Sequence, residues 1–131
     1  ANRLRLLQVI AGTEQTIALA KKHKIKMAFG TDILFSATAA TRQGAELTKM
    51  LKWFVAAELL AMATSTNGEL LKLSGPRDPY PGRLGVVQEG ALADLLLVNG
   101  DPLTNIKLIE DPARNFVVIM KDGRIFKNAL Q

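Results

Sequence analysis

The chain has 131 residues, 48% of them hydrophobic, and no cysteine. That is enough for one domain with a core but about half of the roughly 250 residues of a (β/α)8 barrel, and it excludes disulfides and thiolate metal sites. The net charge of +5 comes from 17 Lys and Arg against 12 Asp and Glu. These are scattered apart from Lys21-Lys22-His23-Lys24, and aromatic residues make up only 5%. Neither a basic stripe nor a stacking platform for nucleic acid is present.

In chain order, Leu4, Leu7 and Ile10 fall at helical spacing, with Leu6 and Val9 beside them. Gly12 is expected to interrupt this helix. Thr13 then caps a second one that packs through Ile17, Ala18 and Ala20 and ends at the basic cluster, where cations suit the dipole. Ile25, Met27 and Phe29 alternate with Lys26 and Ala28, which predicts a strand ending near Gly30. Residues 33 to 44 read as a long polar loop. Leu47, Met50, Leu51, Phe54, Ala57 and Ala61 give a helical stretch, with a break expected near Trp53 to Ala56. A last helix is expected at 66 to 73.

Pro76, Pro79, Pro81 and the glycines around them mark 74 to 83 as a linker. Short strands are expected at 84 to 88, 94 to 98, 116 to 120 and 124 to 127. Asp122-Gly123 is a hairpin signal, and Ile106 to Glu110 reads as one helical turn. Two pieces of different architecture result: residues 1–75, helix–strand–helix in character, and residues 76–131, a small β element. Four short strands, or one strand between helices, do not make a self-sufficient sheet, so both pieces read as incomplete. No apolar run approaches the roughly 20 residues of a membrane span. The longest, Trp53 to Ala63, is broken by Glu58. The first residues lead into an amphipathic segment rather than a signal peptide. These features, with the lack of cysteine, give the expectation of a cytoplasmic chain without membrane or nucleic-acid partners.

The most informative residue is Asp32. A strand that ends in Gly30-Thr31-Asp32 puts a carboxylate at the rim of a sheet, where α/β enzymes build their sites. Three segments carry a resemblance. Met27-Ala28-Phe29-Gly30-Thr31-Asp32 looks like the eighth barrel strand of the metal-dependent amidohydrolases. Glu58 to Leu71, with Ala63-Thr64-Ser65-Thr66-Asn67-Gly68 at its centre, resembles the helical stretch that follows it in that family. Gly85-Val86-Val87-Gln88-Glu89-Gly90-Ala91-Leu92-Ala93-Asp94-Leu95 is similar to the G-x-I-x-x-G-x-x-A-D-L motif of the family's β-sandwich. The three segments resemble especially the imidazolonepropionase-like and Xaa-Pro dipeptidase-like members, and Val118 to Ile125 fits the family's last hairpin.

That resemblance implies an α/β fold: the last βα part of a TIM-like barrel in residues 1–75, and part of a composite β-sandwich in 76–131. It implies hydrolysis of a C–N amide bond, in a dipeptide, another small peptide-like molecule or a cyclic amide, by water activated on a divalent metal such as zinc. Asp32 is then both metal ligand and catalytic base, since a carboxylate is a hard oxygen donor and a base at once. Arg42, on the loop after the strand, could hold a substrate carboxylate through its planar fork. The family's His-x-His pair, its later His residues and its mid-barrel Lys or Glu have no counterpart here. The single His23 sits at a helix end and reads as solvated. One carboxylate cannot hold a catalytic zinc, which needs about three protein ligands. The expectation is therefore a chain inactive alone, completed by an amino-terminal portion or a second chain, and associating as a homo-oligomer. The alternative is a non-catalytic scaffold or assembly relative of the same fold.

Overall fold

A computed structural model describes residues 2–130. The first element, α1 (Asn2–Lys22), is one continuous helix. Gly12 does not break it, because a lone glycine costs a helix only about 1 kcal/mol. Thr13 is not a cap either: its hydroxyl donates to the Val9 carbonyl, as that of Thr16 does to Gly12. The helix ends in a Schellman turn. Lys24 adopts a left-handed φ of 51°, Lys24 N–H donates to the Lys21 carbonyl, and Ile25 N–H reaches back to Ala20.

The expected barrel strand is extended but unpaired. Among the described residues, Lys26 to Thr31 make no backbone–backbone hydrogen bond. The alternation of side chains is present; the neighbouring strands that would make it a ladder are not. The expected long loop is shorter than the sequence suggested. It contains a helical turn, α2 (Ala37–Ala40), capped by the Ser36 hydroxyl, which accepts from Ala39 N–H, and α3 (Gln43–Lys49) begins inside it. A 3-10 turn, Met50–Lys52, extends α3, and the break falls where expected, at residues 53–55.

Next come α4 (Ala56–Ala61), a π turn (Met62–Thr66) and α5 (Asn67–Lys72), joined end to end. Glu58 starts the run by accepting from Val55 N–H at 3.0 Å. A π turn forgoes some i→i−4 bonds. Here the Thr64 hydroxyl donates to the Leu60 carbonyl at 2.6 Å and that of Ser65 to Ala61 at 3.4 Å.

The remainder is a three-stranded antiparallel sheet in the order β1 (Leu95–Val98), β2 (Phe116–Lys121), β3 (Arg124–Asn128). Leu95 pairs with Met120 and Lys121 with Arg124, with a bulge in each ladder. The β2–β3 turn uses positive φ at both Asp122 and Gly123, as the Asp-Gly signal predicts. Asp94 braces this turn by accepting from Asp122 N–H at 2.8 Å. The strand expected at 84–88 is instead irregular, with one isolated bridge from Arg83 to Ala91. Gly85 is the reason: its φ is +72°, and a Cβ there would lie 2.2 Å from the Thr64 carbonyl oxygen. Ile106–Glu110 forms a 3-10 turn, and α6 (Pro112–Asn115) follows, capped by Asp111.

The core gathers Ile17, Leu47, Phe54, Leu59, Met62 and Ile106, with Met27, Phe29, Trp53 and Ile109 packed against it. Ile106 and Ile109 come from beyond β1, so residues on both sides of the proline-rich segment share one core. Where α3 meets the 3-10 turn, Gly44 lies against the Ile109 backbone and the Thr48 hydroxyl donates to Glu110 at 2.7 Å. The core is small for the chain. The accessible surface is 9869 Å², whereas a compact monomer of 14.2 kDa exposes about 6,800 Å² by the usual mass scaling. Leu4, Leu6, Leu7 and Val9 on α1 and Leu70, Leu71 and Leu73 around α5 are all exposed. Among the described residues, no helix is long and apolar enough to cross a membrane.

A polar clamp ties α1 to the segment before α4. Glu14 accepts from the Trp53 indole N–H at 2.6 Å and pairs with Lys52, while Lys21 donates to the Trp53 carbonyl and lies over the Phe54 ring. The Lys52 bond first, and the Trp53 bond second, hold the Glu14 carboxyl below its ordinary value. A group lowered in this way stabilises the fold fully above its unfolded pKa, and that contribution fades as pH falls through the lower folded value.

A Cβ at Gly44 would meet the Ile109 carbonyl oxygen at 2.0 Å, and backbone cannot swing aside. Gly44→Ala should cost about 1–3 kcal/mol or more in urea unfolding. Gly12→Ala, with nothing within 4 Å of the new methyl, should instead stabilise by about 0.5–1 kcal/mol. The single tryptophan reports the clamp. Its emission should change as pH falls below the ordinary Glu range of about 4.3. Glu14→Gln should remove that titration; an acid transition identical in the two proteins would rule out the clamp as its source.

Candidate functional site

Asp32 stands where the extended segment leaves the core. Met27 and Phe29 are half-buried and anchor the segment, and three residues after Phe29 the chain reaches solvent at the exposed Asp32. Asp32 takes a left-handed φ of 49°, which Asp tolerates better than most residues. Phe35, three residues on, has φ 61° and is fully exposed. A bulky aromatic residue is a rare occupant of that region, and the turn 32–35 holds two such residues within four positions. The segment itself is fastened from the helix run. The Asn67 side-chain amide accepts from Phe29 N–H at 3.1 Å and donates to the Phe29 carbonyl at 2.9 Å. Lys26, at the start of the segment, pairs with Glu69 on α5.

Beside the segment lies an open groove of about 670 Å³, lined by Phe29, Gly30 and Thr31 on one side and by Thr41, Gln43 and Asn67 among the residues facing them. Its floor is apolar, with Leu47, Leu60 and Ala63. Asp32 is the next residue after Thr31 and is not itself among the groove's lining residues. Arg42 points elsewhere: it lines a separate cleft with Ser36, Thr38 and Glu46. The structure thus brings Gly30, Thr31, Thr41 and Asn67 together, and sets Arg42 apart from them. His23 is exposed at the end of α1, far along the chain from any acidic cluster.

The donor set bears on metal binding. Among the described residues, no three His, Cys, Asp or Glu side chains gather into a group that could hold an ion. The chain offers one exposed carboxylate at the expected position, which fits a single ligand of a metal site and not a whole one. Sequence reasoning did not assign Asn67. Its signal was available in the Thr64-Ser65-Thr66-Asn67 run, but the side chain's partner, a peptide group 38 residues away, is not visible in any local pattern. Trp53, read as packing, is half-buried and also donates to Glu14.

No protein-family model matches the sequence, and no curated protein matches it. Several solved structures do. The crystal structure of an amidohydrolase is 34% identical with a TM-score of 0.73, over 89% of this chain and 26% of that one. A prolidase, solved in complex with N-methylphosphonate-L-proline, is 25% identical with a TM-score of 0.71, over 87% of this chain and 26% of that one. The A. niger ochratoxinase is 27% identical with a TM-score of 0.55, over 66% of this chain and 19% of that one. The chain spans about a quarter of the length of the first two. Its structural neighbours are amidohydrolase-type proteins, and the likeness supports kinship at the level of that superfamily rather than with any one member.

Proposed function

We propose that this chain is the carboxyl-terminal part of a metal-dependent amidohydrolase that cleaves a C–N amide bond in a peptide-like or cyclic amide substrate. One observation carries the reading. Asp32 ends an extended segment that is anchored in the core at Phe29 and opens to solvent beside a groove, in a chain similar to an amidohydrolase and a prolidase over most of its length. In this reading residues 1–75 are the closing βα portion of a barrel and residues 76–131 part of a β-sandwich. The remaining barrel strands and metal ligands come from an amino-terminal portion or a second chain, and the enzyme is a cytoplasmic homo-oligomer.

A divalent metal, zinc in the first instance, would when bound lower the pKa of a water toward neutral pH. The residues of this chain have simpler tasks. Asp32 would give one carboxylate oxygen to the ligand set and, as a base, would take a proton from the nucleophilic water and pass it to the leaving amine. Gly30 and Thr31 shape the groove wall next to it. Arg42, on the turn after α2, is available to a substrate carboxylate through its planar fork, across a separate cleft.

The test uses the full-length polypeptide. Asp32→Asn keeps the size and removes the base, and should lower kcat/KM on Xaa-Pro dipeptides or cyclic amides by about 10²–10⁴-fold, with loss of bound metal by elemental analysis. The isolated 131-residue chain should hold no stoichiometric zinc after dialysis. Full activity in Asp32→Asn overturns the catalytic reading. A full-length protein with neither metal nor hydrolysis points to a scaffold relative of the same fold.

A further inference from the structure

The extended segment that carries Asp32 presents bare peptide groups. Along a strand, the N–H and C=O of one residue face the same side, and those of the next face the other. The edge shared by Met27, Phe29 and Thr31 is therefore distinct from the edge shared by Lys26, Ala28 and Gly30. On the first edge, among the described residues, only Phe29 has its backbone N–H and C=O paired. Phe29 donates to the Asn67 carboxamide oxygen at 3.1 Å and accepts from the carboxamide nitrogen at 2.9 Å. A carboxamide carries the same donor and acceptor pair as a peptide group. It can stand at a strand edge in place of a neighbouring strand.

A helix interior is a poor place for such a residue to act from, because Asn favours caps and turns. Here Asn67 opens α5 directly after the π turn, and its own N–H bonds the Thr64 carbonyl. The irregular turn is packed in place. Gly85 lies against the Thr64 carbonyl, and a Cβ at the buried Gly68 would come within 2.5 Å of the Leu84 carbonyl oxygen. Backbone from the 84–85 segment thus fixes the turn that aims Asn67, and Asn67 fixes the segment that ends in Asp32.

We propose that Asn67 is a positioning residue that acts on Asp32 through the Phe29 peptide group; this rests on the reading of Asp32 as a site residue. Between Phe29 and Asp32 stand only Gly30 and Thr31, and Asp32 itself has no side-chain bond among the described residues to hold it. A displacement of about 1 Å at a reacting group can cost about 10²-fold in rate. The bracket is the sole side-chain link from the helix run to the segment's backbone among the described residues.

The experiment compares wild type, Asn67→Ala, Asn67→Asp and Asp32→Asn in the full-length protein. Asn67→Asp is nearly isosteric and keeps the acceptor for Phe29 N–H while losing the donor. Two readouts are taken: amide hydrogen exchange resolved at Phe29, with the buried Leu59 as reference, and kcat and KM separately. The proposal expects exchange at Phe29 to rise at least about tenfold in Asn67→Ala with Leu59 unchanged. It expects kcat to fall about 10–100-fold with KM little altered, and Asn67→Asp to lie between. Unchanged exchange at Phe29 overturns it. So does wild-type kcat in Asn67→Ala when Asp32→Asn is inactive, since the bracket would then hold the segment without serving the site. Exchange that rises at Leu59 as much as at Phe29 in both Asn67 variants also overturns it, as that marks a general structural role. A fully active Asp32→Asn protein sinks the reading of the site, and the positioning role with it, whatever Phe29 does.

Discussion

Two hydrogen bonds between one carboxamide and the backbone N–H and C=O of one residue, Phe29, join the helix run 56–72 to the segment that ends in Asp32. Much of the arrangement serves that junction. The π turn before Asn67 is backed by Gly85, whose left-handed φ lets the 84–85 backbone lie against Thr64. Phe29, the residue so held, buries part of its ring against a core built from Leu47, Phe54, Leu59 and Met62. An apolar anchor fixes the depth of the segment, and the polar bracket fixes its rotation. Hydrophobic packing is not directional, whereas a paired donor and acceptor is. The combination sets both depth and rotation of a segment that has no backbone ladder among the described residues.

The same economy appears at the other end of α1. Ile17 and Ala20 are its only buried apolar contacts among the described residues. The Glu14, Trp53, Lys52 and Lys21 clamp adds orientation to that narrow patch. These charges are exposed, and exposed ion pairs contribute little by themselves. The indole N–H is the exception, because a half-buried donor would be costly to leave unpaired. Glu14 therefore matters more for where Trp53 lies than for a Coulombic gain.

The remaining surface is unusually apolar for a chain of this size. The first turns of α1, the outer side of α5 and the strands of the sheet expose leucine, isoleucine and phenylalanine side chains. The unpaired edges of the 26–31 segment and an open groove lie among them. Exposed apolar surface on this scale is uncommon on a compact monomer. The amidohydrolase-type neighbours, about four times longer than the matched region, give that observation a context.

The sequence by itself determined the elements whose causes are local. The Asp122-Gly123 turn was readable because only a few residue types accept positive φ in succession. The helical stretch from Leu47 was readable because its apolar spacing has a period of its own, and the extended run 25–29 because its side chains alternate. Local cues misled where tertiary contacts outweighed them. Gly12 was tolerated inside α1, Val86-Val87 failed to form a strand beside the constrained Gly85, and the loop after Asp32 hid a capped turn. Only the tertiary structure decided that Arg42 faces a different cleft from Thr31, that Ile106 belongs to the helical core, and that Asn67 pairs with Phe29. Each of these depends on which surfaces meet across dozens of residues, and no periodicity along the chain records a contact of that range.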